Sequence, residues 1–230
     1  MWRQIILALC LFGGLTACGP DMVFNHSMPK GHLDLATFEI KYQGRYRGVT
    51  PDSIEVTIGE DFIITSYPDT IKASELAANK TLYRKENKVF DQKTNFPLGW
   101  KIGQQEGEEL FRVSLPDTFF RISPVHQLKK DKQKYFLNRQ VEGDRKAWEV
   151  WMIELKDNGG LEVAWIDREK DLPLLRKYGS VREEYEKYED ETGATKQRVK
   201  RYHLSLSDKN FQKFIANRGF SGRLVLEKYK

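Results

Sequence analysis

Ala147-Trp148-Glu149-Val150-Trp151-Met152-Ile153-Glu154-Leu155, followed by Asp157-Asn158-Gly159-Gly160 and then Leu161-Glu162-Val163-Ala164-Trp165-Ile166, is the stretch that decides the fold. Two arms rich in Val, Ile and Trp flank a run of turn-forming residues, the signature of a β-hairpin. Side chains alternate along a strand, so Trp151, Ile153 and Leu155 share one face of the first arm while Trp148, Val150 and Met152 share the other. A strand with one face in water would not be apolar on both. The arm is therefore expected at the centre of the fold, with sheet or core on one side and a helix or cavity on the other. Glu149 and Glu154 are expected to face solvent at the strand ends or to pair with basic neighbours.

Outward from this hairpin the dominant period is two. Phe38, Ile40 and Tyr42 alternate with polar residues, as do Ile54, Val56 and Ile58, and Gly59-Glu60 turns the chain into Phe62-Ile63-Ile64-Thr65. Further strand-like runs cover 81–84, 98–102, 110–115, 118–122 and 135–138, with a closing strand over 223–229. Short strands punctuated by Pro, Gly, Asn and Asp predict a mainly β fold, an antiparallel sandwich or incomplete barrel. One short helix is predicted near the C-terminus. Ser207 suits its N-cap, Leu206 and Phe211 a hydrophobic staple, Phe211, Phe214 and Ile215 one buried face, and Gly219 the stop. Residues 181–192 fit either element. Tyr178, Val181, Tyr185 and Tyr188 make a helical stripe, whereas a turn at Thr192-Gly193-Ala194 folds an acidic strand onto 196–203, setting Glu189 against Arg198 and Glu186 against Arg201. Such pairs contribute only tenths of a kcal/mol, about 0.2–1 each at most, so charge does not decide between them.

The chain opens Met1-Trp2-Arg3, runs through the apolar Ile5-Ile6-Leu7-Ala8-Leu9-Cys10-Leu11-Phe12, and reaches Leu15-Thr16-Ala17-Cys18 after two glycines. One positive charge, a short apolar core and small residues at a cleavage point make an export signal. The core is shorter than the ~20 residues that a membrane span needs. Leu15-Thr16-Ala17-Cys18 resembles the lipobox of bacterial lipoproteins. The resemblance implies a diacylglycerol on the sulfur of Cys18, cleavage just before it, and acylation of the new amino terminus. Gly19 stands where that family's enterobacterial members carry an inner-membrane retention Asp, so the resemblance points to the outer membrane. The expected organisation is a signal peptide over 1–17, a membrane tether over 18–35 containing Pro20, Pro29 and Gly31, and a single β-rich domain over 36–230. That body resembles the β-rich lipoproteins of unassigned function in Gram-negative envelopes.

Cys10 leaves with the signal and Cys18 takes lipid, so the mature body has no cysteine for a disulfide, a zinc-thiolate site or a thiol nucleophile. The formal net charge is +5. Basic runs at 129–132 and 196–201 and an acidic run at 183–191 read as solvated surface, without the one-sided basic excess of a nucleic-acid binder. There is no Gly-x-Ser-x-Gly elbow, Walker loop or dinucleotide fingerprint. His26, His32, His126 and His203 are not at metal-ligand spacings. Glu108-Glu109 and the trio Asp167, Glu169 and Asp171 are acids in polar surroundings, with no sign of the paired, pKa-split carboxyls of a glycosidase. The sequence thus names no catalytic residue, metal or cofactor, and the reading is against an enzyme. Trp148, Trp151 and Trp165 are the candidate ligand-binding residues; as core they need no ligand, and as a cavity lining they hold a small apolar one. The expected function is a lipid-anchored, non-enzymatic outer-membrane protein that binds another envelope protein or a glycan. The alternatives are a lipocalin-like carrier, marked by a cavity under the three tryptophans, and an envelope-polymer hydrolase, marked by a cleft with two close carboxylates. A flat exposed aromatic patch marks the binding protein.

Overall fold

A computed structural model describes residues 21–49, 54–190 and 193–229. Cys18 and the expected signal peptide lie outside them. The fold is mainly β, with open sheets and, among the described residues, three helices. It divides into two compact units. Among the described residues, one holds 21–36, Ile122–Glu154 and Val163–Arg223; the other holds Thr37–Arg121, Leu155–Glu162 and 224–229.

In the first unit the sheet contains β1 (Met22–Phe24), β9 (His126–Asp131), β10 (Lys134–Val141), β11 (Asp144–Leu155), β13 (Ser180–Glu189) and β14 (Thr195–Ser205), in the lateral order β13-β14-β1-β11-β10-β9. β1 runs parallel to β14, with Met22 opposite Tyr202, and antiparallel to β11, with Phe24 opposite Trp148. The strand apolar on both faces is therefore central, as its sequence demands. β12 (Leu161–Trp165) returns after a turn in which Gly159 takes a left-handed φ of 80° and the Lys156 amide donates to the Gly160 carbonyl at 2.8 Å.

Two helices carry the unit's other layer, α2 (Arg168–Tyr178) and α3 (Asp208–Ala216). Their side chains close an apolar cluster that includes Phe24, Phe136, Trp148, Met152, Leu175 and Phe211. α3 begins as expected, with Ser207 Oγ accepting the Asn210 amide at 3.3 Å and Phe211 and Phe214 buried. Its end works differently from the expectation. The left-handed residues are Arg218 and Phe220, while Gly219 is needed because a Cβ there would lie 2.5 Å from the Phe214 ring. α2 was not foreseen; it tolerates Pro173 inside it.

Three expectations are corrected. Residues 21–35 are no tether. Met22, Val23, Phe24 and Met28 are buried, and β1 fills a place in the sheet. The segment after it is gripped by side chains: Asn138 accepts the Met28 amide at 2.6 Å and donates to the Met28 carbonyl at 2.9 Å, and Asp208 accepts the amides of Lys30 and Gly31. Residues 181–189 are strand, and the β13–β14 register differs from the one charge pairing suggested. Glu189 faces Thr195 and Glu186 faces Arg198, because Asp190 closes a longer loop by accepting the Ala194 and Gly193 amides. Phe38, Ile40 and Tyr42 lie outside any strand, with residues 40–42 in a turn where the Tyr42 amide bonds to the Glu39 carbonyl. That curl buries Phe38 and Tyr42 on one side and leaves Ile40 84% exposed.

The second unit runs β15 (Gly222–Tyr229, from Leu224 on), β2 (Gly44–Arg47), β3 (Glu55–Ile58), β4 (Phe62–Lys72), β8 (Glu108–Arg121), β7 (Pro97–Gln105), β6 (Lys88–Asp91) and β5 (Leu82–Lys85), all antiparallel neighbours. The runs 110–115 and 118–122 fuse into the single strand β8, paired to β4 along its length with one bulge at Ile63/Ile64. Phe38, Tyr42, Tyr46, Val56 and Phe120 are buried at the β2–β4 end. Helix α1 (Ala73–Ala78) covers one face of the β5–β8 end, where Leu76, Leu82, Val89, Leu98, Phe111 and Val113 form a separate buried cluster.

Candidate aromatic binding face

The face of β5–β8 opposite α1 holds the site. Cross-strand partners project to the same side of a sheet. Lys88, Trp100, Arg112 and Thr70 are partners in succession across β6, β7, β8 and β4, so they form one row. Phe90 lies two residues from Lys88, on the same side, and faces Tyr83 on β5; the two rings stack 5.4 Å apart at 20°. Trp100 is 57% exposed, and Phe96 and Ile102 beside it on the chain are 62% and 44% exposed. One side of this sheet therefore carries the exposed Trp100 between Lys88 and Arg112, with the half-buried Tyr83–Phe90 ring pair farther along the same side.

The covered side explains why this row is held in place. Gly99 is the position that lets β7 approach β8, since a Cβ there would meet the Arg112 carbonyl oxygen at 2.1 Å. Phe111 and Val113 fill the interior next to it, with the Arg84 guanidinium 4.9 Å over the Phe111 ring. Glu109 binds both Lys101 and Arg84, and the hydrogen bonds from Lys101 and then Arg84 hold its carboxyl below the usual range. Glu108 is likewise lowered, by hydrogen bonds from Ser74. The two adjacent acids thus fasten the platform's back and its α1 cover. The exposed row itself carries no carboxylate or thiol. It offers π-faces, apolar area and cationic donors, the residue types that concentrate binding energy at interfaces.

The tryptophans named by the sequence sit in the first unit, and they do not meet on one face. Trp148 is 8% exposed within the helix-side cluster. Trp151 is 6% exposed on the opposite face of β11, with its ring 5.4 Å from that of Trp165. Glu149 pairs with Arg139 at 3.5 Å and Glu154 with Lys134, so both acids of the apolar strand have basic partners. Of the acidic trio, Asp167 caps α2 by accepting the Glu169 and Lys170 amides, and Asp171 is buried, accepting the amides of Asp167 and Ser221. His203 contacts Glu184 at 2.9 Å and His32 contacts Asp131 at 3.5 Å. Among the described residues no group of three or more His, Cys, Asp or Glu side chains is placed to hold a metal, and no helix is long and apolar enough to cross a membrane.

Sequence reasoning missed Trp100. The signal was present in 98–102, where a tryptophan stands next to Gly99 and Lys101 in a half-polar run. Reading it as exposed required knowing which side α1 covers. No protein-family model, curated protein or solved structure matches the chain.

Proposed function

We propose that this is a lipid-anchored protein of the bacterial envelope, attached to the outer membrane through acylated Cys18, that docks a partner protein on the aromatic face of β5–β8. The lipobox-like Leu15-Thr16-Ala17-Cys18 behind a charged and apolar leader supports the anchor. The observation that carries the binding role is the exposed Trp100, in register with Lys88 and Arg112 and braced from behind by a buried cluster. Isolated exposed apolar residues are ordinary, but a contiguous aromatic patch on a rigid sheet marks an interaction surface. The two flanking cations favour an acidic segment on the partner, by charge complementarity.

Photo-crosslinking in intact cells tests this. A photoreactive residue in place of Thr70 or Ile102 should give a discrete protein adduct, while one at the exposed Val225 should not. Trp100→Ala and Arg112→Glu should each cut the adduct about tenfold, the ~1.4 kcal/mol or more expected of an interface hot spot. Adducts that ignore both substitutions, or that form with glycan in place of protein, overturn the reading.

A further inference from the structure

We infer that the β13–β14 arm lies against the phospholipid headgroup layer, held there by a linker too short to lift the first unit off the bilayer. The inference rests on the proposed acylation of Cys18.

Asp21 is already part of the sheet, since its carbonyl accepts the Tyr202 amide at 2.7 Å and its carboxylate contacts Arg168 at 3.2 Å. Only Gly19 and Pro20 separate it from Cys18. At full extension the chain spans at most ~3.3–3.6 Å per residue, so the Cys18 Cα lies no more than about 14 Å from that of Met22. β14 runs parallel to β1, with Met22 opposite Tyr202, so Thr195–Arg201 extends on the side from which the anchor enters. At ~3.4 Å per residue the arm reaches about 24 Å past Tyr202, farther than the linker can. The arm therefore extends past the linker's reach at the end of the unit where β1 begins, which brings it to the surface that holds the lipid.

Its chemistry suits headgroups better than the hydrocarbon layer. Glu186 pairs with Arg198 at 2.6 Å, Lys196 with Asp190 at 2.6 Å and Lys200 with Glu184 at 3.5 Å, so charges of both signs are matched across the strands. Tyr185 and Tyr188 are exposed among them, and the Arg198 guanidinium lies 5.2 Å over the Tyr188 ring. Tyrosine favours the membrane–water interface, where its ring is half buried and its hydroxyl wet.

The body's lack of cysteine beyond Cys18 allows single-site labelling. Natively acylated protein carrying Glu189→Cys, or Lys209→Cys in α3, which follows the far end of β14 within the same unit, is labelled with an environment-sensitive maleimide fluorophore and placed in phosphatidylethanolamine–phosphatidylglycerol vesicles. Acylation is checked by intact mass, so a missing anchor is recognised separately. Headgroup-spin-labelled lipid should quench the label at 189 at least threefold more than the label at 209. A Gly/Ser insertion of about fifteen residues after Gly19 should bring the two sites level, because such a linker frees the unit from the surface. Equal quenching in the acylated, uninserted protein overturns the placement. Strong quenching at 189 that survives the insertion overturns the role given to the short linker.

Discussion

Asp171 shows how one buried acid can serve structure alone. It is 2% exposed on α2, and one of its oxygens, Oδ2, accepts the amides of Asp167 and Ser221, both at 2.9 Å. It thereby ties the first turn of its own helix to the segment leading into β15. Burial is the dominant influence on its carboxyl and raises its pKa above the ordinary 3.8, despite the amide donors. A folded-state pKa raised above the unfolded one means the folded chain holds this proton more tightly. The stability the group contributes is therefore fully present below pH 3.8 and is lost as pH rises through the raised value. Asp171→Ala leaves two amides without their acceptor and should cost about 2–6 kcal/mol, at ~1–3 for each buried unpaired group. Asp171→Asn keeps a carbonyl acceptor and removes the charge, so its stability relative to wild type should improve from pH 4 to pH 7.5. Urea unfolding midpoints of the three proteins at both pH values check this; a pH-independent difference between Asn and wild type would show that the buried charge is not the cause.

Elements that rest on local signals were legible, and those that rest on distant partners were not. The 147–166 hairpin declares itself by an apolar run and an Asn-Gly-Gly turn, and α3 by its cap and staple, all within a few residues. The long β4–β8 pairing was broken up by Pro68 and Pro116, which read as strand ends. Each proline is tolerated because it stands past the reach of the strand on its outer side. β3 pairs with β4 only as far as Ser66, and β7 pairs with β8 only from Val113 back toward Glu108. β1 was hidden for a different reason. Met22-Val23-Phe24 is too short to show a period, and the segment after it is held by Asn138, Lys129 and Asp208, far off in sequence. The structure therefore predicts the opposite of a dispensable leader segment. A chain beginning at Asp34 loses β1 and exposes the edges of β14 and β11, with Phe24 gone from the helix-side cluster. It should be insoluble or lack a cooperative melt, whereas one beginning at Asp21 should melt cooperatively. Asn138→Ala in the full body gives a graded version, with an expected loss of about 2–4 kcal/mol from the unpaired amide and carbonyl of Met28. A soluble, cooperatively melting protein starting at Asp34 would refute the role given to β1.

At the scale of the whole molecule, an anchor and a binding face make sense together. A surface that docks a partner gains effective concentration when it is confined to the membrane that holds the partner. Neither end of that arrangement was equally visible in sequence. The lipobox resemblance is a contiguous motif, whereas Trp100, Lys88 and Arg112 become a face only when three strands bring them into register. The proposed anchor also has a sharp chemical consequence. Each buried methylene stabilises membrane attachment by ~0.8 kcal/mol, a single acyl chain holds only marginally, and two or three hold durably. If Cys18 is acylated as the lipobox resemblance implies, the mature protein begins at residue 18 and carries the mass of a diacylglycerol, with a further chain on its new amino terminus. Cys10 would leave with that signal, so no other thiol in such a mature chain could account for thioether-linked lipid. Cys18→Ser removes the acceptor sulfur and, because cleavage in that family follows acylation, should leave an unprocessed precursor of full-length mass. Intact mass spectrometry of the native and substituted proteins from the same membranes separates the outcomes. A native chain starting at residue 18 with no added acyl mass would mean an ordinary signal cleavage beside an idle cysteine. The protein would then be released into the periplasm, and the short path from Cys18 to β1 would tether nothing.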